Sequence, residues 1–477
     1  HRAPEEPQMD RTDMYPSSPL AYFDSLQDPH NSDPAMAAFR HHLEFVRSGA
    51  DGFLAESAID PVSELPDMER LDHHKPIGLQ AMSRAAVLKL NGGLGTGMGL
   101  EAAKSLLEVR DGLTFLDLIV RQILALRASQ SASIPLVLMN SGMTADDSLE
   151  LLSRYAELPT AGLPLHFLQN IVPKILADTL EPAVHEADPR LQWCPPGHGD
   201  LYVAIAASGM LKQLIDSGID YIFVSNADNL GAVLDPVILG YMEDEGLDFI
   251  LEAADRTNAD RKGGHLCRLH DGRLALRESA QCPPEAGDSF QDIQRYSYFN
   301  TNNIWLHLPA LAALVESNRG FLPLPTMVNR KTLDPRDATS PAVIQLETAM
   351  GSAISLFERA AAVRVPRRRF SPVKNSNDLL GVRSDAFELT DDWRVALHHQ
   401  RDVPPVVRLE DRFFKMIDDF EARFPAGVPS LLRCDSLAVD GDVTFGAKVK
   451  IEGHAAIRAE NPAAIADGTL LTGTIDL

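Results

Sequence analysis

The chain has 477 residues, 45% hydrophobic and 23% charged, with 44 basic against 67 acidic side chains and a net charge of −23. Such a length predicts two or three domains with large cores, and such acidity argues against DNA or RNA as a bulk partner. It leaves room for small phosphorylated substrates, which need only a few local cations and a metal.

Cys194, Cys267, Cys282 and Cys434 are scattered with no C-x-x-C pair, the usage of a reduced, cytoplasmic protein. No apolar run reaches about 18 residues and no signal peptide opens the sequence, so no membrane association is expected.

Residues 1–75 are polar and punctuated by proline, with one helix predicted over 36–47 and little chemistry expected. A buried parallel strand is predicted over 86–90. It runs into Asn91-Gly92-Gly93, followed by Gly95, Gly97 and Gly99. So much glycine lets the backbone adopt positive φ and approach a ligand closely. Residues 100–107 read as a helical turn or two carrying Lys104. Strand, glycine loop and lysine, in that order, set backbone N–H groups and a point charge against phosphates. The loop matches neither the P-loop nor the dinucleotide fingerprint, so taken alone it is either a phosphate cradle or tight packing.

Helices are predicted over 115–128, 146–155 and 201–217, and strands over 134–140, 165–168, 221–225 and 249–253. This alternation is that of a mostly parallel sheet flanked by helices, with ligands beyond the strand carboxyl ends. Asn91, Asn140 and Asn226 each end a strand, so three loops meet at one edge. Further on come a strand over 297–306, interrupted by Asn300-Thr301-Asn302-Asn303, and a helix over 345–357. Near the C-terminus Val439, Phe445, Ile451 and Ile457 recur every six residues, with Val443 and Val449 on a second phase. That period predicts one or two coils of a β-helix; the plainer alternative is a small antiparallel sheet.

Several groups carry chemistry. His198, within Pro195-Pro196-Gly197-His198-Gly199-Asp200, stands before a helix that Asp200 is placed to cap. It is either a donor to a ligand or a loop histidine closing its own turn. Asp228 follows the 221–225 strand and suits Mg2+ held between phosphate oxygens, or else an N-cap. Arg364, Arg367, Arg368, Arg369 and Lys374 form a cationic run, read either as a second phosphate clamp or as an ion-pair network. The amides at 300–303 offer partners for sugar hydroxyls, or satisfy their own turn. No nucleophile elbow and no H-E-x-x-H occur. Glycines, two lysines, an aspartate and amides describe direct phosphoryl or nucleotidyl transfer.

Ten ordered blocks, among them LNGGLGTGMGLEAAKS, PLVLMNS, QNIVPKI, WCPPGHGDLY, YIFVSNADNLGA, FNTNNIWL, VIQLETAMGSAI and RRRFSPVKNSNDLL, resemble the eukaryotic-type UDP-glucose pyrophosphorylases, also called UTP–glucose-1-phosphate uridylyltransferases. LEVRDGLTFLD, RESAQCP and SFQDI are most similar to protozoan members.

The resemblance implies a Rossmann-like α/β nucleotidyltransferase domain over 76–375, built on a central mixed, mostly parallel sheet flanked by helices. It also implies an N-terminal region over 1–75 and a domain over 376–477 ending in a short left-handed β-helix. It implies UTP and α-D-glucose 1-phosphate as substrates, UDP-glucose and pyrophosphate as products, and Mg2+ as cofactor. Carried over by motif, Lys104 and Lys374 are the catalytic lysines and Asp228 the metal-associated acid. Leu90, Asn91, Gly92 and Gly93 face uridine and ribose; Met139, Gln169 and Gly197 face the uracil. His198 and Asn226 face the sugar nucleotide, and Glu278, Asn300 and Asn302 the glucose.

The chain departs from the family at Ala103, often proline, and at Arg368, often serine. LNGGLGTGMGL argues against an N-acetylhexosamine substrate, whereas galactose 1-phosphate stays open. Retention of Lys104, Asp228 and Lys374 argues against a catalytically dead scaffold. Oligomeric state is not fixed, although a β-helix tail offers strand edges for self-association.

Overall fold

The computed structural model describes residues 18–26, 33–257 and 260–477. Its centre is a ten-stranded mixed sheet. The strand Ala85–Asn91 lies between two parallel neighbours, Tyr221–Asn226 and Leu136–Asn140, and His166–Leu168 extends that side. Successive residues of the central strand serve opposite cores. Ala85 and Val87 pack into one cluster with the helix Phe115–Gln130. Ala86 and Leu88 pack into a second with the helices Leu201–Ala207 and Met210–Asp216. A strand covered on both faces must be apolar on both, hence the unbroken run seen in sequence.

The sheet is mixed, as expected, but it is not mostly parallel beyond Tyr221–Asn226. The long strand Tyr298–His307 runs antiparallel to both Tyr221–Asn226 and Phe249–Asp255. Phe249–Asp255 in turn pairs in parallel with Ala360–Arg364. The N-terminal region is tied in as well, since Ile59–Pro61 adds an edge strand against His265–Leu269. The helix Lys75–Ala81 crosses Pro236–Asp244 where Gly78 meets Gly240, and a Cβ on either would collide with backbone of the other helix or its flank.

Three local expectations fail for identifiable reasons. Residues 100–107 hold only a single 3-10 turn, Lys104–Leu106, because the backbone is extended on either side of it, with ψ 130° at both Ala103 and Leu107. The helix expected over 201–217 is two, divided at Gly209 with φ 78°. The helix expected over 345–357 is instead the strand Ala342–Glu347 followed by the 3-10 segment Met350–Ser355. Its β-branched Val343 and Ile344 pair with Met327–Thr332 and with Ile175–Leu176, and this pairing overrides an apolar spacing that imitated a helix.

The tail is made of stacked parallel strands, Val406–Leu409, Ser430–Asp440, Lys450–Arg458 and Leu470–Asp476 in that order. Val443–Phe445 pairs in parallel with Ala463–Ile465, so the antiparallel alternative is excluded. Val439, Ile457 and Ile475 stack in register, and the predicted phases point inward: Val439, Val443, Phe445, Val449, Ile451 and Ile457 are all buried. These residues join the same apolar cluster as Phe115 and Ile119, so the tail and the central sheet share one core.

Candidate active site

A cleft of about 510 Å³ opens at the carboxyl ends of the parallel strands. Leu90, Asn91, Gly92, Gly93, Lys104, Gln169, Gly197, His198, Asn226 and Asp228 all line it. The three loops do meet at one edge, with Asn91 opposite Asn140 and Asn226 opposite Leu90 in the ladder.

Not every asparagine faces outward. Asn91 is 3% exposed and donates to Asn140 Oδ1 and to Ser148 Oγ, both at 2.8 Å. Its side chain braces the loop, leaving backbone to line the cleft. Gly92 stands against the Gln169 side-chain amide, which occupies the space a Cβ would take. Gln169 is in turn held by its neighbour: Asn170 donates to both carboxylate oxygens of Asp200, from its backbone N–H at 2.6 Å and its side-chain nitrogen at 2.8 Å. Contrary to expectation, Asp200 makes no side-chain cap on the following helix and instead fixes the loop across from it. Burial raises its pKa to about 6, against the lowering effect of those two bonds.

His198 follows Gly197, whose φ of 81° and close approach to Thr348 exclude a side chain; a Cβ there would stand 2.5 Å from the Thr348 carbonyl oxygen. Gly199 N–H donates to Thr348 O and Thr348 N–H to Pro196 O, both at 2.9 Å. Met350, two residues on, donates its N–H to His198 Nδ1 at 3.0 Å and accepts from the Tyr202 hydroxyl at 2.7 Å. The histidine loop and the segment 348–350 are thus one bonded unit. Burial lowers the His198 pKa to about 4. With Nδ1 accepting, the neutral ring carries its proton on Nε2 and is a donor there.

Lys104 Nζ lies 2.7 Å from Asp228 Oδ2, each side chain less than a quarter exposed. Asp228 Oδ1 is buried with no hydrogen-bond partner. A buried, unpartnered hard oxygen beside a glycine loop suits a divalent cation that takes its other ligands from phosphate and water. Lys374 does not line the cleft. It stands beside it, because Val373 N–H donates to Asp228 O at 3.2 Å and Pro372 bridges to Asn229. Asp378 accepts the Lys374 and Asn375 N–H groups at 2.7 and 3.1 Å, pinning the backbone there.

Met139 is 2% exposed and packs into the sheet core beside Leu90 rather than lining the cleft. Glu278, Asn300 and Asn302 lie outside the lining too. They form their own group, in which Asn300 donates to Asn302 Oδ1 at 2.8 Å and Asn302 N–H to Asn300 Oδ1 at 2.9 Å. Asn302 takes a left-handed φ of 57° beside an irregularity in the ladder. Burial raises the Glu278 pKa, with a hydrogen bond to Asn300 opposing it.

The arginine run is an ion-pair network. Arg364 pairs with Asp67 and Asp255, Arg367 with Asp260, Arg368 with Glu69 and Arg369 with Glu252. Arg369 and Glu252 are deeply buried, and Asn303 and Trp305 also donate to the carboxylate. Sequence reasoning missed Lys89, 2% exposed, which donates to Ser225 Oγ at 2.7 Å and Ala232 O at 2.9 Å beneath the Asp228 loop. A lysine inside an otherwise apolar strand was the sign of it. Burial lowers its pKa to about 7.

Fold and cleft together are those of a Rossmann-like α/β nucleotidyltransferase. The family model described as UTP–glucose-1-phosphate uridylyltransferase matches residues 37–452, and the chain belongs to that family. It is 41% identical over 384 residues to the UTP–glucose-1-phosphate uridylyltransferase of Solanum tuberosum, covering 80% of this chain and 78% of the relative. It is 43% identical over 381 residues to that of Saccharomyces cerevisiae, covering 80% and 74%. Among solved structures, UDP-glucose phosphorylase from Trypanosoma brucei aligns with a TM-score of 0.86 at 43% identity, over 97% of this chain and 100% of that one. A variant of Leishmania major UDP-glucose pyrophosphorylase in complex with UDP-glucose aligns with a TM-score of 0.88 at 42% identity, over 97% and 100%.

Proposed function

We propose that this chain is a uridylyltransferase that converts UTP and α-D-glucose 1-phosphate to UDP-glucose and pyrophosphate, reversibly, with Mg2+, by direct in-line attack. The observation that carries the reading is the meeting of Lys104 and Asp228 in a cleft whose lining includes the glycine loop, Gln169, His198 and Asn226. A glucose 1-phosphate oxygen attacks the α-phosphorus of UTP, the bond to the bridging oxygen breaks, and pyrophosphate departs. No general base is required, since a phosphate monoester is largely dianionic at neutral pH.

Lys104 offsets charge on the departing phosphates, and Lys374 meets the sugar phosphate or α-phosphate as the domains close. Leu90, Asn91, Gly92 and Gly93 serve the uridine and ribose, Gln169 and Gly197 the uracil, and His198 Nε2–H donates to the sugar nucleotide. Asn226 lies beside them, and Glu278, Asn300 and Asn302 orient the glucose. Asp228 would hold Mg2+, which supplies charge neutralisation at phosphate oxygens.

The same reading divides the chain at 75 and 375, gives the C-terminal coils the left-handed sense of a β-helix and places the enzyme in the cytoplasm. The terminal strand Leu470–Asp476, with Leu470 exposed, is the edge suited to self-association. Among the described residues no helix is long and apolar enough to cross a membrane.

Steady-state rates of Lys104→Ala and Lys374→Ala test the assignment. Each is expected to lower kcat at least about a hundredfold, and near wild-type kcat in both overturns it. A pyrophosphate-release assay across nucleoside triphosphates and sugar 1-phosphates is expected to favour UTP with glucose 1-phosphate. A faster reaction with galactose 1-phosphate would reassign the sugar.

A further inference from the structure

Ser105 is 2% exposed and lines the cleft immediately after Lys104, in the turn Lys104–Leu106. Its hydroxyl is buried with no hydrogen-bond partner. Among the described residues that line the cleft, only Ser105 and Asp228 hold such an atom. The two are complementary in kind: Asp228 Oδ1 is an acceptor wanting a cation, and Ser105 Oγ–H is a donor wanting an acceptor.

Buried hydroxyls in native proteins are almost always bonded, and one left open calls for a reason. A serine that only filled space at this depth would be better replaced by alanine. The missing acceptor must also tolerate a neighbouring ammonium, which an anionic oxygen does. On the proposed reading the uridine lies toward Gly92 and Gln169, which stand against each other. The turn carrying Ser105 belongs instead with Lys104 and Asp228, where the phosphates farther from the nucleoside would lie.

We propose that the Ser105 hydroxyl donates a hydrogen bond to an oxygen of the pyrophosphate half of the nucleotide, beside the Lys104 ammonium. The inference rests on the phosphate-binding reading of this cleft and adds to it a residue with no charge of its own. Ser105 contributes to binding pyrophosphate and to stabilising it as a leaving group, but not to holding uridine or glucose.

The test is Ser105→Ala and Ser105→Thr, with Lys104→Ala alongside, assayed in the pyrophosphorolysis direction. A hydrogen bond to a charged group predicts that Ser105→Ala lowers kcat/KM for pyrophosphate by about 10- to 100-fold. Calorimetric binding of UDP-glucose should change less than about twofold, and Ser105→Thr should recover part of the loss. Removing an unpaired buried hydroxyl should leave the unfolding temperature unchanged or raise it. A lowered unfolding temperature with equal losses toward every substrate makes Ser105 merely structural and overturns the proposal. Unchanged pyrophosphate kinetics in Ser105→Ala, with a large loss in Lys104→Ala, also overturns it while leaving the cleft assignment standing. If both variants behave as wild type, the cleft assignment falls as well.

Discussion

Met350 donates its backbone N–H to Nδ1 of His198 at 3.0 Å, and that bond decides what the imidazole offers the cleft. Its pKa, lowered to about 4 by burial, keeps the ring neutral through the neutral range, with Nε2–H as a fixed donor. His198→Ala is expected to lower kcat/KM for UDP-glucose by about 10- to 100-fold, the value of one hydrogen bond to a charged or strongly polar ligand. Because the ring does not titrate there, the shape of the kcat/KM profile between pH 6 and 8 should be the same in wild type and in His198→Asn. An inflection near pH 6.5 that vanishes in the variant would contradict the assignment.

Acid stability follows from the same burial. His42, His198 and His265 have pKa values lowered by burial to about 4, 4 and 3, from an ordinary 6.5. Between those values the unfolded chain binds more protons than the native one, so each contribution is lost as pH falls from 6.5 toward 4. Asp200, raised to about 6 by burial, acts in the opposite sense: between 3.8 and 6 the native state binds more protons, and stability is gained as pH falls. These histidines, joined by Glu56 with its pKa lowered to about 2, outweigh Asp200 together with Glu278 and Asp378, whose pKa values burial also raises, and give a falling melting temperature from pH 6.5 to 4. Thermal denaturation across that range checks it, and Asp200→Asn should steepen the fall.

The pair Glu252–Arg369 joins the arginine run to the floor of the sheet, with both side chains at most 4% exposed. Removing one partner strands a buried charge, so Arg369→Met is expected to destabilise by about 3–5 kcal/mol. Arg368→Ser, at a pair in which both side chains are more than half exposed, should shift stability by no more than about 1 kcal/mol and leave the kinetics alone. Urea denaturation of both variants separates the two cases.

Two glycines predict opposite phenotypes. Gly78→Ala would press a methyl into the Pro236 carbonyl at a helix crossing where neither backbone can yield, and is expected to destabilise by about 1–3 kcal/mol or more. Gly92→Ala meets only the movable Gln169 side chain. It should leave the melting temperature nearly unchanged while raising KM for UTP. Equal thermal losses in both would refute the distinction.

The glycine loop also touches the C-terminal region. A Cβ on Gly99 would stand 3.0 Å from Met416 Sδ. Ser376 Oγ donates to Lys415 O at 3.1 Å, and Leu409 N–H to Asn377 Oδ1 at 2.9 Å, just after Lys374. One short stretch, 409–416, therefore reaches both lysine-bearing segments. Met416→Ala is expected to weaken this coupling and lower kcat several-fold with little change in UDP-glucose binding, read by steady-state kinetics and calorimetry.

Much of this was legible in the chain. The strand before the glycine loop, the convergence of three asparagine-ended strands and the six-residue period of the tail are statements about period and chain order. Both survive folding because burial on one face or two leaves an unambiguous pattern in the residues. The false helix over 345–357 shows the limit: Leu346, Ala349, Met350, Ile354 and Phe357 have helical spacing, yet Val343 and Ile344 found strand partners far away in sequence.

What the sequence determined by itself was the inventory: a glycine loop, a lysine after it, an acid at a strand end and a histidine between glycines. The tertiary structure alone decided which of these groups are free to act. Asn91 and Met139 turned inward, four arginines were each taken by an acid, and Ser105 and Asp228 were left with open valences. Partnership between polar groups is set by distances between residues remote in the chain, and no local pattern encodes it.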